Sequence, residues 1–366
     1  MRALKLFPLL LAVIMLTECT KFSSQNDWVT FRGNNEHTGY YSGNAPQQLT
    51  EILWKFKTEG PVESSPSFSD GIVYFGSQDN YLHAVDTKTG QEIWNFKTDD
   101  NVFSSPAVSD GMVFIGSDDN YLYAVDAKTG QEKWKFKTDD NVSSCPAVSD
   151  GIVYFGSQDK YLYALDANNG QEIWRFKTEW FVFTSPAISD GIVYFGSDDK
   201  YLYAVDAKTG QEKWKFKTDD FIRSSPAVSD ETVFLGSYDK YLHAINAKSG
   251  QEKWKFQTQD AIFSSPAVSD GMVYFGSQDN YLYALDIKNG EEKWKFKTRG
   301  PVLSSPSISD GIVFFGSDDN YLYALNAKTG HEKWKLKSEG SVLSSPAVSD
   351  EMVFFGSNDN YLYTVN

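Results

Sequence analysis

The stretch NVFSSPAVSDGMVFIGSDDNYLYAVDAKTGQEKWKFKTDD, residues 101–140, decides the fold of this 366-residue chain, because near-copies of it follow one another at a fixed step of 40. Its proline recurs as Pro66, Pro106, Pro146, Pro186, Pro226, Pro266, Pro306 and Pro346. Its tryptophan recurs from Trp54 to Trp334, and the Tyr-Leu pair from Tyr81 to Tyr361. No insertion or deletion breaks the count. A strict period of this length marks a repeat architecture, in which one small unit buries its faces against copies of itself.

Within the unit, four short segments read as strands separated by turns. Segment 102–108 ends in Ser109-Asp110-Gly111, and the apolar run 112–115 closes on Gly116-Ser117. Asp119-Asn120 is a tight-turn pair, since Asn tolerates positive φ. Segment 121–125 is rich in strand formers. After the turn 126–130, Lys133, Trp134, Lys135, Phe136 and Lys137 alternate with period two. The four strands, A to D, should form one antiparallel sheet. Proline cannot donate to a ladder, so strand A belongs at an edge. The lysines of strand D blunt the opposite edge. Such sheets are not stable alone but pack face to face around an axis as a β-propeller. Eight repeats predict an all-β, eight-bladed propeller of four-stranded antiparallel blades. An α-solenoid of similar period would need 3.6-residue apolar spacing, which is missing.

The last repeat runs out at Asn366 after strand C, while residues 51–58, with Trp54, supply an extra strand D at the start. This N-terminal strand is expected to close the last blade. The domain reading is a signal peptide over 1–18, a polar tether and lead-in segment over 19–50, and the propeller over 51–366.

The aromatic share of 16% suits a core of stacked rings between blades. The net charge of −15 argues against a nucleic-acid partner. Arg2 and Lys5 precede the apolar run 6–16, too short to span a bilayer comfortably and in the pattern of a secretory signal. Leu16-Thr-Glu-Cys19 resembles the lipobox of bacterial lipoproteins, with Cys19 as the lipidated residue; Glu18 departs from the small residue usual there, and secretion with an unmodified cysteine is the alternative. Cys145 stands in a serine column and reads as neutral drift, and no structural disulfide is expected.

Trp28-Val-Thr-Phe-Arg-Gly-Asn-Asn-Glu-His-Thr-Gly39 and the repeat core 121–134 resemble the PQQ-like β-propeller proteins, over nearly everything from Trp28 onward. That family includes PQQ-dependent dehydrogenases and non-enzymatic members such as a lipoprotein of the bacterial outer-membrane protein assembly machine. The resemblance implies an exported periplasmic or outer-membrane lipoprotein, held to the membrane by its lipid alone, monomeric, and bound to an envelope protein or peptide. The family's dehydrogenases carry an adjacent Cys-Cys disulfide over the cofactor and a calcium site; this chain has no Cys-Cys pair. No cofactor is therefore expected, PQQ and calcium entering only under the alternative of a quinone-dependent oxidoreductase. A carbohydrate-binding or adhesion module is a second alternative. The aspartates Asp79, Asp119 and their equivalents up to Asp359 form a repeated column. Acid–base partners need different environments, so a repeated column reads as turn formers rather than catalysts, a weak cation ring being the sharper reading. His37, His83, His243 and His331 lack metal-ligand spacing, and the Ser-Ser-Pro serines have no partnered histidine.

Where repeats agree so closely, their departures are informative. The connection from strand D to the next strand A is the variable column, and in a propeller it shares the channel-mouth face with the B–C turn. Three successive repeats depart there toward bulk: Trp180, Phe181 and Phe183, then Phe221 and Arg223, then Phe263, with Tyr238 in the B–C turn of the middle one. These residue types anchor protein interfaces. The seven are expected to cluster in one sector as a partner-binding surface. For Phe183 and Phe263, which share a column with Phe103, filling the channel mouth is an equal reading.

Overall fold

The computed structural model describes residues 30–349 and 351–366, and among them it contains strands and turns but no helix. Each repeat is one antiparallel sheet with its strands in chain order, as in Ala107–Ser109, Met112–Gly116, Tyr121–Asp126 and Glu132–Lys137 of the second blade. There are eight such sheets. Pro106 stands just ahead of the short inner strand, where no ladder needs its missing N–H. The two middle strands are buried along nearly their whole length, because neighbouring blades cover both their faces. The outer strand alternates exposed lysines with part-buried Trp134 and Phe136. The eighth blade is assembled from both ends of the described chain: Ala347–Ser349, Met352–Ser357, Tyr361–Val365 and Ile52–Lys57, with Ile52 opposite Val365 and Lys57 opposite Tyr361. The expected closure by the N-terminal strand is present.

Three repeated contacts join one blade to the next, and they account for the invariant letters of the unit. The indole of Trp94 donates to the Ala127 carbonyl of the following blade at 3.0 Å. Its ring lies where a Cβ on Gly130 would stand, 2.6 Å away, so that turn residue must be glycine for closeness as well as for its φ of +70°. Trp334 faces the eighth blade, which is assembled from two separate segments, and there it takes the Pro46 carbonyl at 3.1 Å instead. The second residue of each Ser-Ser-Pro accepts the amide of its counterpart one repeat earlier. Ser65 N donates to Ser105 Oγ at 2.9 Å, and the series runs on until Ser345 N donates to Ser65 Oγ at 2.9 Å. This is an unbroken circle of eight hydrogen bonds around the axis. Cys145 holds its place in it, its thiol accepting Ser105 N at 3.2 Å and its amide donating to Ser185 Oγ at 3.1 Å. Burial pushes that thiol's pKa up, which suits an acceptor and not a nucleophile.

The third contact is a glycine of the second strand against the next blade. A Cβ on Gly116 would fall 2.3 Å from the Val142 carbonyl oxygen, a backbone atom with no freedom to swing away. Gly116→Ala is expected to cost about 3 kcal/mol by overpacking. Gly111→Ala, whose Cβ would meet nothing within 4 Å and whose φ is +76°, should cost only the left-handed penalty of about 1 kcal/mol. Urea midpoints of the two variants check this order; equal costs would mean that the blades are not packed this tightly.

The described part of the tether and lead-in segment departs from expectation. Residues 30–50 are packed, and residues 30–39 cross the axis at one end of the channel. The carbonyls of Asn35, Glu36, Thr38 and Gly39 accept the inner-strand amides of Ile188, Val228, Val268 and Ile308 at 2.7–2.8 Å, one per successive blade. Tyr40–Tyr41 then adds to the seventh blade, parallel to Ser307–Ser309. Arg32, only 1% exposed, donates to the Pro266 carbonyl at 2.9 Å and to that of Pro306. His37 Nδ1 donates to the Pro226 carbonyl at 3.2 Å. A Cβ on Gly39 would strike the Arg32 guanidinium, which explains a glycine there. The polar composition that reads as a tether is what this plug requires: it meets backbone groups on the inner edges of the third to the seventh blades. The signal peptide over 1–18 and Cys19 lie outside the described residues.

Candidate functional site

The plug closes one end of the channel, and the other end opens as a blind cup of about 500 Å³. Phe31 of the plug and the circle of Ser-Ser-Pro side chains form its floor. Its wall is the residue two positions before each of those side chains: Glu63, Phe103, Ser143, Phe183, Arg223, Phe263, Leu303 and Leu343 in ring order. The variable column of the sequence is therefore the lining of the cup. Phe183 and Phe263 do fill the channel mouth, as Phe103 does, and they also belong to the sector described next.

The structure brings the seven departing residues into one connected patch. Trp180 and Phe181 lie 5.2 Å apart by ring centroids, and Phe181 meets Phe183 at 5.8 Å. The Arg223 guanidinium sits 4.6 Å above the Phe183 ring and 5.8 Å from that of Tyr238. Tyr238 in turn contacts Phe221 at 6.5 Å and Phe263 at 6.3 Å. Trp180, Phe221 and Phe263 remain 46%, 37% and 38% exposed, so the patch offers aromatic area to solvent while its centre is half-buried. Lys160 lies over the Trp180 ring at 4.6 Å and Lys200 over Phe221 at 5.7 Å.

Sequence reasoning missed what anchors Arg223. Its guanidinium forks onto Asp198 of the preceding blade, Nη2 to Oδ2 at 2.9 Å and Nε to Oδ1 at 3.2 Å. The hydrogen bonds it donates to Asp198, and then the charge of that carboxylate, raise the arginine's pKa against burial. Burial leaves Asp198 above the usual carboxylate range despite the arginine. A fixed fork of this kind holds Arg223 within reach of the Phe183 and Tyr238 rings, so the patch is preorganised. No signal marked Asp198, because aspartate stands at the same place in repeats with no arginine beside it, as at Asp118 and Asp318.

The aspartate column behaves as turn formers. Asp119 Oδ1 accepts the Tyr121 amide at 3.1 Å, and Oδ2 accepts the Asp99 amide at 2.9 Å and the Tyr123 hydroxyl at 2.8 Å. Each such carboxylate thus pins a mouth loop to its blade. His83 and His243 replace that tyrosine and sit between two carboxylates, His83 with Glu92 at 2.8 Å and Asp79 at 3.2 Å. Burial alone would raise Asp79, but the hydrogen bond and charge of His83 leave it lowered. Among the described residues no group of three or more His, Cys, Asp or Glu is arranged to hold a metal ion.

Comparison with known proteins places this geometry. The family model described as "Outer membrane protein assembly factor BamB" matches residues 47–145 and 118–225. The model described as "Beta-alanine-activating enzyme, beta-propeller" matches residues 184–366, half of the chain. No curated protein sequence matches. Among solved structures, the computationally designed Ika8 protein is 21% identical, with a TM-score of 0.79 over 86% of this chain and 99% of that one. BamB from Moraxella catarrhalis is 18% identical, with a TM-score of 0.77 over 87% of this chain and 99% of that one. The quinohemoprotein alcohol dehydrogenase from Comamonas testosteroni is 16% identical, with a TM-score of 0.82 over 94% of this chain and 81% of that one. At these identities the likeness speaks for the fold alone, shared by binding proteins and enzymes. With two propeller models tiling the eight repeats and the ring itself in view, the chain belongs to the family of β-propellers built from PQQ-like repeats.

Proposed function

We propose that this chain is a non-enzymatic binding scaffold of the cell envelope, exported by residues 1–18 and tethered through a lipid on Cys19, whose protein or peptide partner docks on the aromatic sector at the cup mouth. The observation that supports it is the single connected patch of Trp180, Phe181, Phe183, Phe221, Arg223, Tyr238 and Phe263, with three of its rings in solvent and its arginine locked in place. A role in outer-membrane protein assembly follows the likeness to BamB.

The test is affinity purification from membranes, wild type against Trp180→Ala/Phe181→Ala/Phe221→Ala. Arg223 is kept, because its loss would strand the buried Asp198 carboxylate. Three anchors at roughly 1–2 kcal/mol each should weaken binding about 100-fold or more with the melting temperature unchanged. Undiminished recovery of the partners sinks the docking site. The intact mass of the same bait reads whether Cys19 carries lipid. Dye-linked substrate oxidation by protein loaded with PQQ and calcium would favour the oxidoreductase reading instead.

A further inference from the structure

We infer that the group the partner lodges in the cup is a basic side chain, lysine or arginine, with its charge at Glu63; this rests on reading the mouth as a protein-binding face. The cup is blind, so whatever enters it stops against the plug and the serine circle. Glu63 is part-buried in the wall, and its ring neighbours Leu343 and Phe103 are apolar, a setting for a methylene stem that ends in a charge. Phe103 also offers a ring to an arriving cation.

The carboxylate of Glu63 is served by neutral groups. Gln78 Nε2 donates to it at 2.9 Å, and Asn358 is its second amide. Burial raises its pKa, and the two amides offset that in part. No salt bridge to it occurs among the described residues. Arg223 is four repeats away in a ring of eight, on the opposite wall, and is committed to Asp198. The mouth lysines lie in the aromatic sector, Lys200 and Lys240 against Asp220 and Asp260, and Lys160 over Trp180. Beyond Phe103 along the same wall, on the way round to Phe183, Asp118 is raised by burial and by the charges of Asp100, Asp119 and Asp140, with Ser143 Oγ donating to it at 2.9 Å.

One wall of the cup therefore holds acids in a partly desolvated setting without a cation. An entering carboxylate or phosphate meets repulsion. A neutral apolar group leaves the cost of burying Glu63 where it was. An ammonium or guanidinium removes that cost and gains from the low local dielectric.

The test is an array of blocked nine-residue peptides carrying every residue type at the centre, between leucine and phenylalanine, probed with the whole protein and with Glu63→Gln. Central lysine or arginine should bind about tenfold better than norleucine, and Glu63→Gln should shrink that ratio to about twofold while its melting temperature stays put. Equal binding of lysine, norleucine and glutamate centres, a preference that survives Glu63→Gln, or no retention of any peptide overturns the inference. The membrane purification with the Trp180, Phe181 and Phe221 variant judges the scaffold reading separately, so the two can fail independently.

Discussion

Protein lacking residues 361–366 is expected to lose its cooperative melt and to elute as open or associated species, although seven of its blades are untouched. The deleted strand carries Leu362, Tyr363 and Val365, none more than 2% exposed, and it lies between Met352–Ser357 and the N-terminal Ile52–Lys57. Three buried side chains of this size contribute roughly 6 kcal/mol before either ladder is considered. That is comparable to the whole stability of many proteins. The plug stays covalently in place, so the effect isolates the seam between the two ends. A synthetic peptide of residues 359–366 should restore the melt when added in trans. A truncated protein that melts within ~2 °C of the full chain would show that the seam contributes little.

The plug predicts a second large effect, in acid. Burial, and then the charge of Arg32, drive the His37 pKa down from its ordinary 6.5 to about 3, the hydrogen bond to the Pro226 carbonyl opposing them weakly. The folded protein thus keeps this imidazole neutral where the unfolded chain takes up a proton. Between pH 6.5 and 3 the unfolded state binds more protons, so stability is fully present above 6.5 and falls as the pH drops, by up to about 1.4 kcal/mol per unit. Over pH 6.5 to 5, ahead of most carboxylates, this is about 2 kcal/mol. His37 has a φ of 57°, a conformation asparagine accepts. His37→Asn should therefore fold, and its urea-derived stability should be flatter over that window by about 2 kcal/mol. Parallel pH profiles for the two proteins would place the acid sensitivity elsewhere.

Much of this could be read from the chain, for a physical reason. A unit that must pack against its own copies writes every contact it needs into its own 40 residues, so strand order is a local statement, while the blade count and the closing strand come from counting the copies along the chain. The sector at the cup mouth was legible as a break in that repetition, since Trp180, Phe221 and Tyr238 stand where no blade contact demands an aromatic. What escaped were groups defined by a partner far away in sequence. The Ser-Ser-Pro circle joins residues one repeat apart, and nothing in one copy says that its serine accepts from the last. The Arg223–Asp198 fork crosses from one blade to the next. Residues 30–39 misled because polarity has two causes, exposure to water and the satisfaction of buried backbone, and Arg32 and His37 are polar for the second.

Units this alike hold no record of how many of them make a molecule, and unequal recombination adds or drops a copy at a stroke. The stretch that crosses the axis does hold such a record. It grips four successive inner amides, and Arg32 and His37 reach three proline carbonyls whose separation depends on the circumference of the circle. A seven- or nine-membered wheel would carry those carbonyls out of register with the one non-repeating piece of the chain. The same ten residues that stop the hole therefore act as a gauge, and they give the present number of copies a thermodynamic reason to persist.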